Sequence, residues 1–306
     1  MNIICYSDLT ESAYRAVTVA TELATRTKDT VFLVHPEDKT GMRKASDTEE
    51  NERLREEIDR ISSQGVLVKT MPQGHSLDRT IDDVALPTWT RLVVVAAPAK
   101  AGSALWQRGG IAEKIAEHSL VPTLAVRHAE PLLAWVRQER ALRILCAYDF
   151  TATGDAALRY LKTFQRLGPC DMIVAHVGRL SEERSRLGIR TPMSLEGHEP
   201  EVQRILEREM REKVEVIHGP DAPIRICVEG TWGRPDFDLI DIANREKADL
   251  IIIGTHQWQG VDRLLNLSVS RFVLRHASEN VLVVPRSAGA EECQLEESHC
   301  VLEALD

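Results

Sequence analysis

The sequence has no CxxC pair, no apolar run near the roughly 20 residues that a membrane-spanning helix needs, and no excess of basic charge. Each absence closes a class of function. The six cysteines, Cys5, Cys146, Cys170, Cys227, Cys293 and Cys300, are scattered, so reduced thiols are expected rather than a disulfide framework. Cys293, His299 and Cys300 lie close together near the end of the chain, a grouping read as chance, and no metal is indicated. Against 38 basic residues stand 47 acidic ones, a net charge of -9, so the positive field that nucleic-acid binding requires is missing. The start, MNIICYSDLT, lacks the basic opening and small-residue cleavage site of a secretory signal. A cytoplasmic protein without nucleic acid or a membrane span is the expectation.

What is present is a chain written twice. A length of 306 residues suits two domains better than one, and a search for internal repeats supports that. NIICYSDLTESAYRAVTVATELA is echoed by RILCAYDFTATGDAALRYLKTFQ, so that Cys5 matches Cys146, Asp8 matches Asp149 and Thr10 matches Thr151. His35 matches His176 at the same spacing. Later matches, RLVVVAAP with DLIIIGTH and His118 with His276, fall at a longer spacing. The change locates an insertion in the second copy, at about 178–200, where GRLSEERSRLGIRTPMSLEGHEP reads as an exposed loop. Loops of that length often serve as lids or binding segments.

Each copy alternates apolar strand-like runs with helical periodicity. ESAYRAVTVATELATR places Ala13, Ala16, Val17, Ala20 and Leu23 on one helical face, and NERLREEIDRISS does the same with Leu54, Ile58 and Ile61. The runs LVVV and LIII suit strands covered on both faces. Strands alternating with helices predict an α/β fold: two tandem Rossmann-like domains, each a five-stranded, mainly parallel sheet flanked by helices. The ligand crevice of such a sheet lies beyond the carboxyl ends of its strands, where strand order reverses. The segment AEPLLAWVRQERAL is predicted to be an amphipathic connecting helix.

These residues resemble the universal stress protein family in a tandem two-domain form. The likeness rests on the strand ending in Asp8 and Thr10 or Asp149 and Thr151, and on the Gly-containing turns QGHSLDRTI and WGRPDFDLI. It rests also on the closing segments GGIAEKIAEHSLVPTLAVR and LSVSRFVLRHASENVLVVPR. It covers a first domain at 1–128 and a second domain at 142–286, and leaves outside it a linker at 129–141 and an acidic tail at 287–306 whose composition predicts disorder. It implies further that the two copies pair within one chain, as an intrachain pseudo-dimer, and that two chains can associate as a homodimer.

Some members of the family bind ATP and others do not. The binders carry a loop of Gly, two residues, Gly, nine residues, Gly, then Ser or Thr. Glycines let backbone amides approach phosphate, and the helix start that follows offers free N–H groups and a positive dipole end. In the second copy Gly254 and Ser268 fill the outer positions of GTHQWQGVDRLLNLS, but Gln257 and Leu267 stand where glycines are required. In the first copy Gly109 keeps the third position, Ala96 and Ala99 replace the first two, and Gly110 replaces the hydroxyl. The candidate ligand residues are therefore Asp149, Thr151, Gly254, Thr255, His256, Gly260, Ser268 and Val269 in the second copy. In the first copy they are Asp8, Gly109 and Gly110; Asp8 and Asp149 can equally serve as helix-cap or turn residues. Trp106, Trp232, Trp258 and His75 are further loop residues able to meet a ligand or partner.

No convergent nucleophile, base and stabiliser is visible, so no residue is assigned a catalytic role. His35 and His176 recur at equivalent strand ends, which fits a shared structural role. His118 and His276 fall at helix ends, where an imidazole meets the last carbonyls. A hydrolase or transferase on the same fold ranks last, since no motif supports it, and two readings lead. One is a non-enzymatic stress-response module binding a small molecule or protein through degenerate nucleotide loops. The other is an ATP-binding switch with slow or no hydrolysis, with the second domain as the site.

Overall fold

The strands form where the sequence is most apolar, and they do so twice. The computed structural model describes residues 2–35, 46–71, 90–98, 110–190, 199–231, 233–255 and 269–288. The chain divides into two units, Met1–Arg140 and Ala141–Asp306.

The first unit runs β1 (Asn2–Tyr6), α1 (Glu11–Thr27), β2 (Thr30–Val34), α2 (Ser46–Ser63), β3 (Val68–Thr70), β4 (Thr90–Ala96), α3 (Ile111–His118), β5 (Thr123–Val126) and α4 (Ala129–Val136). Its sheet has the order β3-β2-β1-β4-β5, with every pair parallel. Ile3, Ile4 and Cys5 of β1 and Val93, Val94 and Val95 of β4 are buried, as expected of strands with helices on both faces. In α1 the five residues assigned to the inner face are all buried. In α2 the inner face differs: Ile61 is buried, but so is Glu57, whose carboxylate accepts a hydrogen bond from the Ser7 hydroxyl at 3.0 Å.

The segment expected as a linker belongs, through Arg140, to the first unit. Leu132, Trp135 and Val136 bury the inner face of α4, and Arg137 Nε donates to Glu22 of α1 at 3.1 Å. Burying a Trp and two large aliphatic side chains is worth several kcal/mol, which fastens the segment instead of leaving it a tether.

The second unit repeats the plan: β6 (Leu142–Ala147), α5 (Ala152–Leu167), β7 (Cys170–Arg179), α6 (Leu180–Arg186), α7 (Pro200–His218), β8 (Ile224–Thr231), α8 (Pro235–Arg245), β9 (Leu250–Thr255), α9 (Val269–His276) and β10 (Asn280–Pro285). The order is β10-β9-β6-β7-β8, again parallel throughout. In both units the chain leaves its first strand to one side and returns on the other, which puts the switch point between β1 and β4 and between β6 and β9.

One expectation is corrected. The insertion after His176 is not a plain loop: β7 continues to Arg179 and is followed directly by the helix α6. Leu180 is buried, packed so closely on Gly230 of β8 that a Cβ there would meet Leu180 Cδ2 at 2.5 Å. Arg184 is buried too, paired with Glu199 at 2.7 Å. Long-range burial thus holds the described part of the insertion, residues 178–190, whose composition reads as loop.

Candidate functional site

At the end of β6 the chain turns through Asp149, Phe150 and Thr151 into α5. Phe150 has φ 58°, a left-handed conformation uncommon for a residue with a Cβ. The turn is held by Asp149 Oδ1, which accepts from the Thr151 N–H at 3.1 Å and from the Thr151 hydroxyl at 2.5 Å. Thr151 Oγ1 in turn accepts from the Gly154 N–H at 3.2 Å, capping α5. The first unit makes the same device. Leu9 has φ 59°, Asp8 Oδ1 accepts from the Thr10 N–H and hydroxyl at 3.2 and 2.6 Å, and Thr10 caps α1 through the Ala13 N–H. Both aspartates are exposed at the strand ends, so each presents a carboxylate at the mouth of its unit's switch point while one of its oxygens secures the turn.

Across the switch point lies the end of β9. A Cβ on Gly254 would stand 2.4 Å from the Thr153 carbonyl oxygen and 2.6 Å from its carbon. That glycine is needed for the strand to pass against the first turn of α5, whether or not a ligand is bound. Thr255 beside it is buried, in reach of the Ser270 hydroxyl at 3.4 Å. Val269, the first residue of α9, is exposed. In the first unit Gly110 precedes α3 as its N-cap with no side-chain cap bond. Asp149, Thr151, Gly254, Thr255 and Val269 all belong to the second unit's strand ends and helix starts, and Asp8 and Gly110 to the first unit's. Gly109, His256, Gly260, Ser268, Gln257, Leu267, Ala99, Trp106, Trp232, Trp258, His75 and residues 289–306 of the tail lie outside the described residues.

The two matched histidines are engaged on both ring nitrogens. His176 Nδ1 lies 2.8 Å from the Tyr148 carbonyl and Nε2 3.1 Å from Glu183 Oε1. His35 repeats this with the Ser7 carbonyl and Glu50 Oε1, both at 2.8 Å. Each ring ties a strand end to a neighbouring helix, a structural role in both copies. The carboxylate differs in origin: α2 supplies it in the first unit, the inserted α6 in the second. Gly178 permits the latter, since a Cβ there would meet Glu183 Cγ and His176 Nε2 at 2.7 Å. His118 and His276 sit as expected at helix ends, with Nδ1 on the carbonyls of Lys114 and Phe272.

Burial sets the protonation of several side groups. It pushes the Cys146 thiol up to about 12 and Cys5 higher still, so both behave as small hydrophobes. Burial would raise the Glu183 carboxyl, but hydrogen bonds from His176 and Arg186 outweigh it and hold the group below the ordinary carboxylate range. Burial also pushes the His218 imidazole down, against a hydrogen bond to the Leu158 carbonyl. Both groups are depressed in the folded state, so each contributes stability above its unfolded value that is lost as pH falls through the folded one. The second unit is expected to weaken below about pH 6.5 as unfolded His218 takes up protons, and further below about 4.5 through Glu183. Urea melts between pH 3 and 8 check this: Glu183→Gln should remove the lower step, and stability that rises on acidification contradicts it.

Among the described residues no group of three or more His, Cys, Asp or Glu side chains is placed to hold a metal ion, and no helix is long and apolar enough to cross a membrane. Two signals escape sequence reading: the left-handed Phe150, which no glycine announces, and the packing role of Gly254, which depends on Thr153 in the first turn of α5.

Strand order, parallel pairing and a capped turn at the switch point define a Rossmann-like α/β protein. Comparison with known proteins narrows this. The profile of the universal stress protein family matches residues 141–285. A universal stress protein of Methanocaldococcus jannaschii is 30% identical over 153 residues, covering 47% of this chain and 94% of that protein. Among solved structures, a universal stress protein from Archaeoglobus fulgidus aligns with TM-score 0.65 at 18% identity, over 93% of this chain and 98% of its own. A functionally unknown protein from Pseudomonas aeruginosa PAO1 aligns at 0.59 and 17%, over 97% of each chain. At such identities the structures speak for the fold, which they share along nearly the whole chain. This chain belongs to the universal stress protein family.

Proposed function

We propose that the chain is a non-enzymatic cytoplasmic regulatory module of the stress response, with degenerate nucleotide loops in both copies and its ligand crevice in the second. One observation carries the reading: each retained motif residue that the structure describes already has work in the fold. Asp149 closes the turn, Thr151 caps α5 and Gly254 clears the Thr153 carbonyl. Their presence is thus explained without phosphate. The positions that only a phosphate would demand are Gln257 and Leu267 in the second copy and Ala99 and Gly110 in the first. A leucine branch where backbone amides should meet an anion is unfavourable to phosphate.

The second copy is favoured as the binding unit because it retains Asp149, Gly254, Thr255 and Ser268 together and alone carries the insertion. Asp149 is the contact residue of choice, an exposed acceptor at the switch point for a hydroxyl or amine donor. The reading assigns no metal, no nucleic acid and no catalytic residue; the partner is a small molecule or protein. The competing ATP-switch reading is tested by thermal unfolding with ATP, ADP and AMP, with and without Mg²⁺. A ligand bound only by the native state raises the transition by mass action, and no rise is expected at millimolar nucleotide.

A further inference from the structure

The inserted helix α6 is not accounted for by the fold common to both units, and its contacts converge on one residue of the site. Arg186 lies over the Phe150 ring, 4.7 Å from its centroid. The same guanidinium donates to Glu183 at 2.9 Å and to Glu209 of α7 at 2.8 Å. Glu183 reaches His176, and His176 meets the edge of Phe150 at 4.9 Å, with Tyr148 on Phe150 at 5.0 Å. Phe150 is the left-handed residue between Asp149 and Thr151. At the matching place the first unit has Leu9, and its histidine takes a carboxylate from α2.

We infer that α6 is a clamp on the Asp149–Thr151 turn, with Arg186 as the positioning residue that holds Phe150 and thereby fixes where the Asp149 carboxylate points. A non-glycine residue with φ near 58° costs free energy and persists only when its surroundings hold it. In the second unit the holding group is an aromatic ring gripped between a guanidinium and an imidazole. The grip is supplied by a short, separately anchored helix, joined to the rest through Arg184–Glu199, Arg186–Glu209 and Leu180 on Gly230. A partner or modification that displaces α6 would release the turn without unfolding the sheet. The crevice is therefore adjustable in the second unit by an element that the insertion brought. This goes beyond the proposed function and does not depend on which ligand occupies the crevice.

The test is residue-resolved amide hydrogen exchange by NMR on the full chain without ligand, comparing the unmodified protein with Arg186→Ala, Arg186→Lys and Phe150→Leu. The last installs the side chain that the first unit already carries at this turn, so the fold is kept. The Thr151 and Gly154 amides, bonded to Asp149 Oδ1 and Thr151 Oγ1, should exchange roughly three- to tenfold faster in Arg186→Ala and Phe150→Leu. Arg186→Lys should fall between, having a cation but no planar fork. The Thr10 and Ala13 amides of the first unit serve as the internal control and should not change. Two results overturn the clamp: unchanged exchange at Thr151 and Gly154 while the Leu187 and Ile189 amides open, or a uniform rise across the whole second unit.

Discussion

Gly254→Ala is expected to destabilise the second unit by about 3 kcal/mol, the upper part of the range for overpacking a filled interior. The added Cβ meets a backbone carbonyl at 2.4 Å, and backbone cannot swing away as a side-chain tip can. Relief requires moving β9, which is paired on both sides with β6 and β10, or lifting the first turn of α5 off the sheet. At a few degrees per kcal/mol for a unit of this size, the transition should fall by roughly 6–12 °C. The matched position in the first unit is Ala96, where a Cβ is already accommodated, so Ala96→Gly should cost only about 0.5–1 kcal/mol. The contrast separates two explanations of one motif position. If Gly254 served a ligand alone, Gly254→Ala would leave the melting of the ligand-free protein unchanged.

The second large effect is a gain. Gln257→Gly combined with Leu267→Gly should strengthen ATP binding by at least about tenfold in affinity, or about 1.4 kcal/mol, if the loop is degenerate as proposed. The reasoning is local. Gly254 and Ser268 already occupy the outer positions of the loop, and Asp149 stands at the switch point. What is missing are two places where backbone amides can approach phosphate and adopt positive φ without a Cβ. Isothermal titration with ATP and Mg²⁺ reads the result. A doubly substituted protein that still ignores ATP would mean that the crevice has changed beyond its loop, and the account of a site degenerate by two residues would fail.

The fold was legible because each half carries the same alternation, and because LVVV and LIII can hardly be anything but strands covered on both faces. The inner face of α1 was legible for the same reason, since five apolar residues at helical spacing leave no alternative. The helix α6 was not, because Glu183, Arg184 and Arg186 are held by His176, Glu199 and Glu209, partners that local periodicity does not reveal. Glu57 escaped likewise: a glutamate among isoleucines reads as solvent-facing until Ser7 is seen to bond it. At the site, Asp149, Thr151 and Gly254 read from the sequence as candidate ligand contacts, the aspartate equally as a cap or turn residue. The geometry gives each a task in the turn, the cap and the packing of β9 on α5. The task of Gly254 was not legible, because it depends on a helix distant in sequence.

The most direct measurement of the central claim is thermal unfolding of the unsubstituted chain with 1–5 mM ATP and Mg²⁺, scored on the transition of the second unit. A degenerate loop predicts no rise beyond that given by an equal concentration of inorganic triphosphate. An intact site with ATP at 100 times its Kd would add about 2.7 kcal/mol, a shift of several degrees. Such a shift, abolished by Asp149→Ala, would contradict the account and establish the chain as an ATP-binding switch.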